Sequence, residues 1–306
     1  MAKPLTLPKL RAMKREGRPI VMLTAYDFPS ARLAEEAGVD MILVGDSLGN
    51  VVLGYDTTIP VTLDDMIHHT RAVVRGAPGT FVVADMPFAT YRLGPEATLR
   101  NAARLMQEGG AHAVKMEGGA DLCEEIARLT AAGIPVLGHL GLTPQSVHQI
   151  GGYRVQGKTR DDAEKLIADA KALERAGVFG IVLELVTEDT AREVTRAVSV
   201  PTIGIGSGRG CDGQVLVFHD MLGYGSGIRE KRFVKTYADV GSTIREAIGR
   251  YAEEVRTRAF PEERHAFRLE EAPGERETAA PYGTVPADRG AENAAVSAAP
   301  NGGSPA

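Results

Sequence analysis

Residues 35–46 read EEAGVDMILVGD, and this stretch decides the fold: a helical pattern stops at an Ala-Gly pair, an apolar run follows, and the run halts at an aspartate. The same unit returns as LTAAGIPVLG (129–138) and ERAGVFGIVL (174–183). Glycine just past a helix end, followed by an apolar run too short for a second helix, makes each copy the junction between a helix and a buried strand. Unbroken apolar strands belong in a parallel sheet covered on both faces. Working outward, strand-like runs fall near 20–24, 41–44, 80–84, 113–116, 135–138, 180–183, 201–205 and 214–218. Helical patterns between and after them occupy 28–37, 63–74, 95–107, 120–131, 161–176, 189–198 and 235–258. Thr62 and Asp161 are the expected N-caps, Pro95 stands in a first turn, and Gly38, Gly109, Gly133 and Gly177 lie just past helix ends. Such alternation winds right-handedly into a barrel or an open doubly wound sheet. Eight strands with polar endings spread over many of them, instead of clustered at one switch point, favour an α/β fold of the (β/α)8 TIM-barrel kind, preceded by an N-terminal helix.

The chain has 306 residues, and from about His265 it loses apolar periodicity and becomes rich in Ala, Gly, Pro and Glu. The expected organisation is a barrel over 1–264 and a disordered low-complexity tail over 265–306. Deleting residues after about Phe267 is expected to leave thermal stability and turnover unchanged, because a segment without buried contacts contributes little to either; a loss of oligomer on truncation would instead show the tail docked on a neighbouring subunit. A net charge of −5 with interspersed signs provides no basic stripe for nucleic acid. No run approaches the roughly 18 apolar residues of a membrane span, and the basic N-terminus lacks an apolar core, so a cytoplasmic protein is expected. Cys123 and Cys211 lie far apart without C-x-x-C spacing, which argues against a disulfide framework and a zinc site.

Five of the runs end alike, at ionisable residues flanked by glycine or proline. They are MILVGDSLG (41–49) at Asp46, FVVADMP (81–87) at Asp85, AVKMEGG (113–119) at Lys115 and Glu117, PVLGHLG (135–141) at His139, and GIVLELV (180–186) at Glu184. Parallel strands place their C-terminal ends on one face, so these six side chains should converge. Charges of both signs at one rim are costly to desolvate and conflict with one another, which points to a reaction site and not to a stabilising device. Asp46 and Asp85 bring hard oxygens from neighbouring strands and suit Mg²⁺, which takes one or two protein carboxylates and fills its octahedron with water and substrate oxygens. An isolated aspartate would simply cap its own turn. Glu117 completes the metal shell directly or through water. Lys115, on the same strand face as Glu117, neutralises a substrate carboxylate, forms a Schiff base, or pairs with Glu117; neighbouring carboxylates favour the charged role. His139 either donates to a substrate oxygen or is a satisfied core histidine. Glu184, after its apolar run, is either a general base with a raised pKa or a glutamate bonded to a neighbouring strand or to Lys115.

Other candidates fail on spacing. His68 and His69 are adjacent on a helix and point apart, so they make no metal pair. The run GIGSGRGCDGQ (204–214) is no true G-x-G-x-x-G and no P-loop lysine follows, so it reads as a flexible rim loop after the seventh strand. Cys211 within it has no base nearby in sequence and is not expected to be a catalytic thiol.

Three longer strings, VGDSLGNVVLGYDTTIPVT (44–62), GHLGLTPQSVHQIGGYRVQG (138–157) and PTIGIGSGRGCDGQVLV (201–217), closely resemble the 3-methyl-2-oxobutanoate (ketopantoate) hydroxymethyltransferase family, as do ADMPF, VKMEGG and VLELV between them. The resemblance runs from about Thr6 to Pro261. It implies a (β/α)8 barrel that binds one Mg²⁺ per subunit and moves a one-carbon unit from 5,10-methylenetetrahydrofolate to the α-keto acid, on the way to pantothenate and coenzyme A. It further implies Asp46, Asp85 and Glu117 as metal positions, Ser47, Lys115 and His139 as keto-acid contacts alongside Asp46 and Asp85, and Glu184 as the base in an aldol-type addition through an enolate. A ring-like homo-oligomer, a decamer, is the expected assembly. Ser207 stands where alanine is common in the family's G-I-G-x-G string, which bears on the rim loop's contact to the folate. The rival readings are a lyase or mutase of the isocitrate lyase and phosphonomutase type, whose K-K-C-G-H loop this chain lacks, and a ligand-binding regulator on a degenerate barrel, whose sign would be lost acid groups.

Overall fold

The computed structural model describes residues 5–225 and 231–269; the expected tail lies from residue 270 onward outside that range. The chain divides after Arg250 into two units. In the first, eight parallel strands close into a barrel in sequence order: β1 (Ile20–Thr24), β2 (Met41–Val44), β3 (Phe81–Asp85), β4 (Ala113–Glu117), β5 (Val136–Gly141), β6 (Gly180–Glu184), β7 (Thr202–Ile205) and β8 (Gly213–Leu216). Closure is made by β1, which pairs with β2 through Leu23↔Ile42 and with β8 through Met22↔Val215. The helices are α1 (Leu7–Arg15), α2 (Phe28–Glu36), α3 (Leu48–Val51), α4 (Leu63–Gly76), α5 (Pro95–Gln107), α6 (Cys123–Ala131), α7 (Val147–Ile150), α8 (Arg160–Ala176), α9 (Glu188–Ala197), α10 (Phe218–Leu222) and α11 (Val240–Thr257). All eight expected strands are present, and β5 runs to Gly141 where the sequence reading stopped at Gly138. The glycines around His139 do not end the strand, because His139 and Gly141 still pair with Val182 and Glu184 of β6.

Side-chain alternation sorts each strand into two layers. Met41, Leu43, Phe81, Val83, Leu137, Val182 and Val215 fill the barrel interior, and Leu10 and Met13 of α1 plug it from below. The intervening residues, such as Ile42, Val82, Val114, Ile181 and Leu183, pack outward against helix residues that include Leu105, Ile126 and Leu173. Continued two residues at a time, the inward phase reaches Asp85, Lys115, Glu117, His139 and Glu184. The plug is fastened by Lys14, whose Nζ donates to the Thr195 and Val200 carbonyls at 2.8 and 2.9 Å and pairs with Asp212 at 3.0 Å.

Helix boundaries follow their caps. Thr62 caps α4 as expected: its Oγ1 accepts from Asp65 N at 3.2 Å while Asp65 accepts from Thr62 N at 2.9 Å. Asp161 does not cap α8. Thr159 does, in a reciprocal pair with Asp162, so Asp161 falls inside the first turn. Gly38, Gly133 and Gly177 take left-handed backbone past their helices, whereas after α5 that role passes from Gly109 to Gly110, φ +81°. The last helix begins at Val240 and not at Lys235, because Asp239 accepts from Ser242 N at 3.0 Å and starts the turn there. In the second unit the described residues include the Tyr251 and Phe260 rings, 5.6 Å apart, and a short turn at Glu263–His265.

Candidate active site

The strand ends meet as a connected set of buried groups around a cavity of about 120 Å³. Asp46, Asp85, Lys115, Glu117 and His139 are each at most 4% exposed. Asp46 N donates to Asp85 Oδ2 at 3.0 Å, tying the ends of β2 and β3 together. Lys115 Nζ lies 3.0 Å from Asp85 Oδ1, 3.0 Å from His139 Nδ1 and 3.6 Å from Glu117 Oε1. His139 Nδ1 is 3.4 Å from Glu117 Oε1, and on the ring's other side Nε2 faces Glu184 Oε2 at 3.3 Å, without hydrogen-bond alignment. Gly141, φ +94°, ends β5 where only glycine fits, since a Cβ would stand 2.3 Å from the Glu184 carbonyl oxygen. A larger groove of about 1180 Å³ lies between Lys14–Val21 and the 206–214 loop and holds none of these six groups, so the chemistry is assigned to the smaller cavity.

Burial, with the charges of Asp85 and Glu117, pushes the Asp46 carboxyl well above the usual range. Burial likewise raises Asp85, with Lys115 pulling back only in part. Glu117 ends below its ordinary value because His139 and Lys115 outweigh its burial. Burial favours a neutral Lys115, yet Asp85, Glu117 and Asp46 overcome it and hold the ammonium charged, which disfavours the Schiff-base reading and accords with the ion pairs that Lys115 makes to Asp85 and Glu117. At His139, burial and Lys115 work against the proton, but Glu117 and Glu184 prevail and push it up to about 9. A doubly protonated ring would set two donors face to face across the 3.0 Å contact with Lys115. Glu184 departs from expectation: its side chain is 18% exposed at the rim, because only Val182 of the preceding apolar residues shares its inward face while Ile181 and Leu183 face outward to the helices.

The donor set suits a divalent cation. Asp85 Oδ1 is buried with Lys115 Nζ at 3.0 Å as its ion-pair partner and no aligned hydrogen bond, and Asp46 beside it carries a second hard carboxylate. Among the described residues no three His, Cys, Asp or Glu side chains could by themselves hold a metal, so the remaining ligands would be water and substrate oxygens, as Mg²⁺ prefers. Both Glu117 oxygens face protein donors: Oε2 accepts from Gln145 N at 3.1 Å, and Oε1 lies toward Lys115 and His139.

Sequence reasoning missed Gln145. Its Nε2 donates to Asp46 Oδ2 at 2.8 Å and to the Met86 carbonyl at 3.0 Å, and its Oε1 accepts from Tyr91 at 2.6 Å, so with its backbone N–H on Glu117 one residue braces the ends of β2, β3 and β4. The signal lay in GHLGLTPQS, but a glutamine in a loop has no periodicity to reveal it. Tyr26 was also missed; its hydroxyl lies 2.8 Å from Ser47 Oγ and fixes that cavity-lining side chain. Burial pushes the Cys211 thiol up to about 11, in keeping with its non-catalytic reading. Ser207 has a structural duty: it donates to the Leu183 carbonyl at 2.7 Å and accepts from Val186 N at 3.1 Å, joining the rim loop to both sides of Glu184. Ser207→Ala orphans a buried N–H and should cost about 1–3 kcal/mol, read as a lower urea midpoint at unchanged slope.

Carboxylates, a lysine and a histidine turned inward at the C-terminal mouth of a closed (β/α)8 barrel define a barrel enzyme. The sequence model described as ketopantoate hydroxymethyltransferase matches residues 4–263. The chain belongs to that family and is a hydroxymethyltransferase. The 3-methyl-2-oxobutanoate hydroxymethyltransferase of Geobacillus sp. (strain WCH70) is 61% identical over 259 residues, covering 85% of this chain and 92% of the relative. That of Thermoanaerobacter sp. (strain X514) is 57% identical over 261 residues, covering 85% and 95%. Among solved structures, phosphonopyruvate hydrolase in complex with oxalate and Mg²⁺ superposes with a TM-score of 0.54 at 16% identity, over 86% of this chain and 93% of that one. A 2,3-dimethylmalate lyase of the PEP mutase/isocitrate lyase superfamily gives 0.52 at 19%, over 82% and 87%. Both likenesses concern the barrel alone.

Proposed function

We propose that this enzyme transfers a hydroxymethyl group from 5,10-methylenetetrahydrofolate to 3-methyl-2-oxobutanoate, giving 2-dehydropantoate in the first step of pantothenate biosynthesis. The observation that carries the reading is the placing of Glu184 at the open side of His139, on the rim of a cavity that also holds charged Lys115 and the Asp46–Asp85 pair. Asp46 and Asp85 would hold Mg²⁺ directly and Glu117 through water, supplying Lewis-acid polarisation of the keto oxygen. Lys115 neutralises the substrate carboxylate, and Ser47, held by Tyr26, hydrogen-bonds the same anion. Glu184 takes the C3 proton, and His139 donates to the oxygen on which enolate charge develops. Water adds to the methylene carbon, whose bonds to N5 and N10 break as the two nitrogens take up the water's protons and tetrahydrofolate leaves; C3 then bonds to that carbon, and its oxygen takes the proton held by Glu184 to become the hydroxyl. The enzyme works in the cytoplasm as a homo-oligomer of decamer size, which analytical sedimentation tests. Incubation with keto acid, methylenetetrahydrofolate and Mg²⁺ should yield 2-dehydropantoate; cleavage of the keto acid, or its recovery intact, would favour a lyase or a binding protein instead.

A further inference from the structure

One ion pair that lines the cavity, a buried aspartate with an exposed lysine, has no part in these steps. Asp220 lies in α10 just after β8, and in a closed eight-stranded barrel β8 stands across from β4, which carries Lys115 and Glu117. The Asp220 side chain is 3% exposed. Its Oδ2 accepts from Lys231 Nζ at 2.6 Å, while Oδ1 is buried without a hydrogen-bond partner among the described residues. Both residues line the same cavity as the strand-end cluster, with Ile205, Val215, Val217 and Phe233 beside them. A buried carboxylate oxygen left unpaired is costly, so a group that supplies a donor is favoured there. The keto acid cannot supply one: its carboxylate and carbonyl oxygens are all acceptors, and its charge repels Asp220.

We propose that Asp220 and Lys231 form the pterin-binding end of the cavity, an assignment that rests on the folate reading above. The pyrimidine edge of a reduced folate presents in a row the 2-amino donor, the N3–H donor and the 4-oxo acceptor. Asp220 offers the acceptor that the first two require, and Lys231 offers the donor that the third requires. Phe233 and the valines supply the apolar walls that suit the faces of a flat ring. The two substrates are thereby sorted by charge: the anion goes to Lys115, and the donor-rich heterocycle goes to Asp220.

The test is calorimetry of tetrahydrofolate and its 2-desamino-2-methyl analogue, with Mg²⁺ and keto acid present. Wild-type protein should bind the analogue on the order of 10- to 100-fold more weakly, the loss expected when a charge-assisted hydrogen bond goes unmade. Asp220→Asn should weaken tetrahydrofolate by a similar factor and reduce the discrimination between the two ligands, while Lys231→Gln should weaken both and keep it. Equal affinities in the wild type would overturn the assignment without reference to any variant. So would an unchanged ratio in Asp220→Asn, the behaviour of a purely structural pair. Absence of tetrahydrofolate binding by the wild type would overturn the folate reading itself.

Discussion

In D₂O with Mg²⁺ and 3-methyl-2-oxobutanoate but no folate, the native protein should carry deuterium into C3, and Glu184→Gln should do so about 10²–10⁴-fold more slowly. Glutamine keeps the shape and can still face His139 Nε2, 3.3 Å away in the native site, but it cannot hold the proton. The partial reaction separates the two readings of Glu184, since a group that only braces His139 has no part in exchange. Proton NMR of the C3 signal supplies the rates, and calorimetry shows whether keto acid still binds. Equal rates with binding intact would transfer the base role to another group, His139 first.

Asp85→Asn should lower Mg²⁺ affinity by more than about 100-fold, because even outer-shell partners of a metal cost 10–100-fold when removed. The fold should survive: an amide oxygen can still accept from Asp46 N, and Lys115 keeps Glu117 at 3.6 Å. Titration calorimetry with a circular dichroism control decides the matter, and unchanged affinity would take Asp85 out of contact with the metal. The native site should also bind Mg²⁺ more tightly as pH rises. Asp46 and Asp85 hold their protons above the ordinary carboxyl range, so the cation must displace protons whose loss becomes easier with pH. Titrations in two buffers of different ionisation enthalpy would count the protons released. Mn²⁺ or Co²⁺ should replace Mg²⁺ in part, since oxygen-rich octahedral sites discriminate poorly among divalent ions.

The barrel was readable because β2 to β7 are covered on both faces, which makes them largely apolar runs with sharp polar ends. Asp85, Lys115, Glu117 and His139 were readable for the same reason, since a two-residue period carries the inward phase from core to rim. Glu184 shows where that logic stops. Its apolar neighbours Ile181 and Leu183 are buried in the outer layer, so they say nothing about the polarity on the inner side, where the carboxylate meets an open rim. Gln145, Tyr26 and the Asp220–Lys231 pair were not readable at all. Gln145 meets Asp46 across 99 positions of sequence, and no local pattern encodes a contact of that span.

The plug beneath the barrel has a consequence for how the chain is made. Leu10 and Met13 leave the ribosome well before the carbonyls and carboxylate that fasten Lys14, which belong to residues 195, 200 and 212, and the seam that closes the barrel joins β1 to β8. At about 5–20 residues per second, roughly 10–40 s separate the synthesis of Lys14 from that of Asp212. Through that interval α1 lacks the contacts that fasten it across the closed barrel, so an early-made helix is among the last elements to reach its final place.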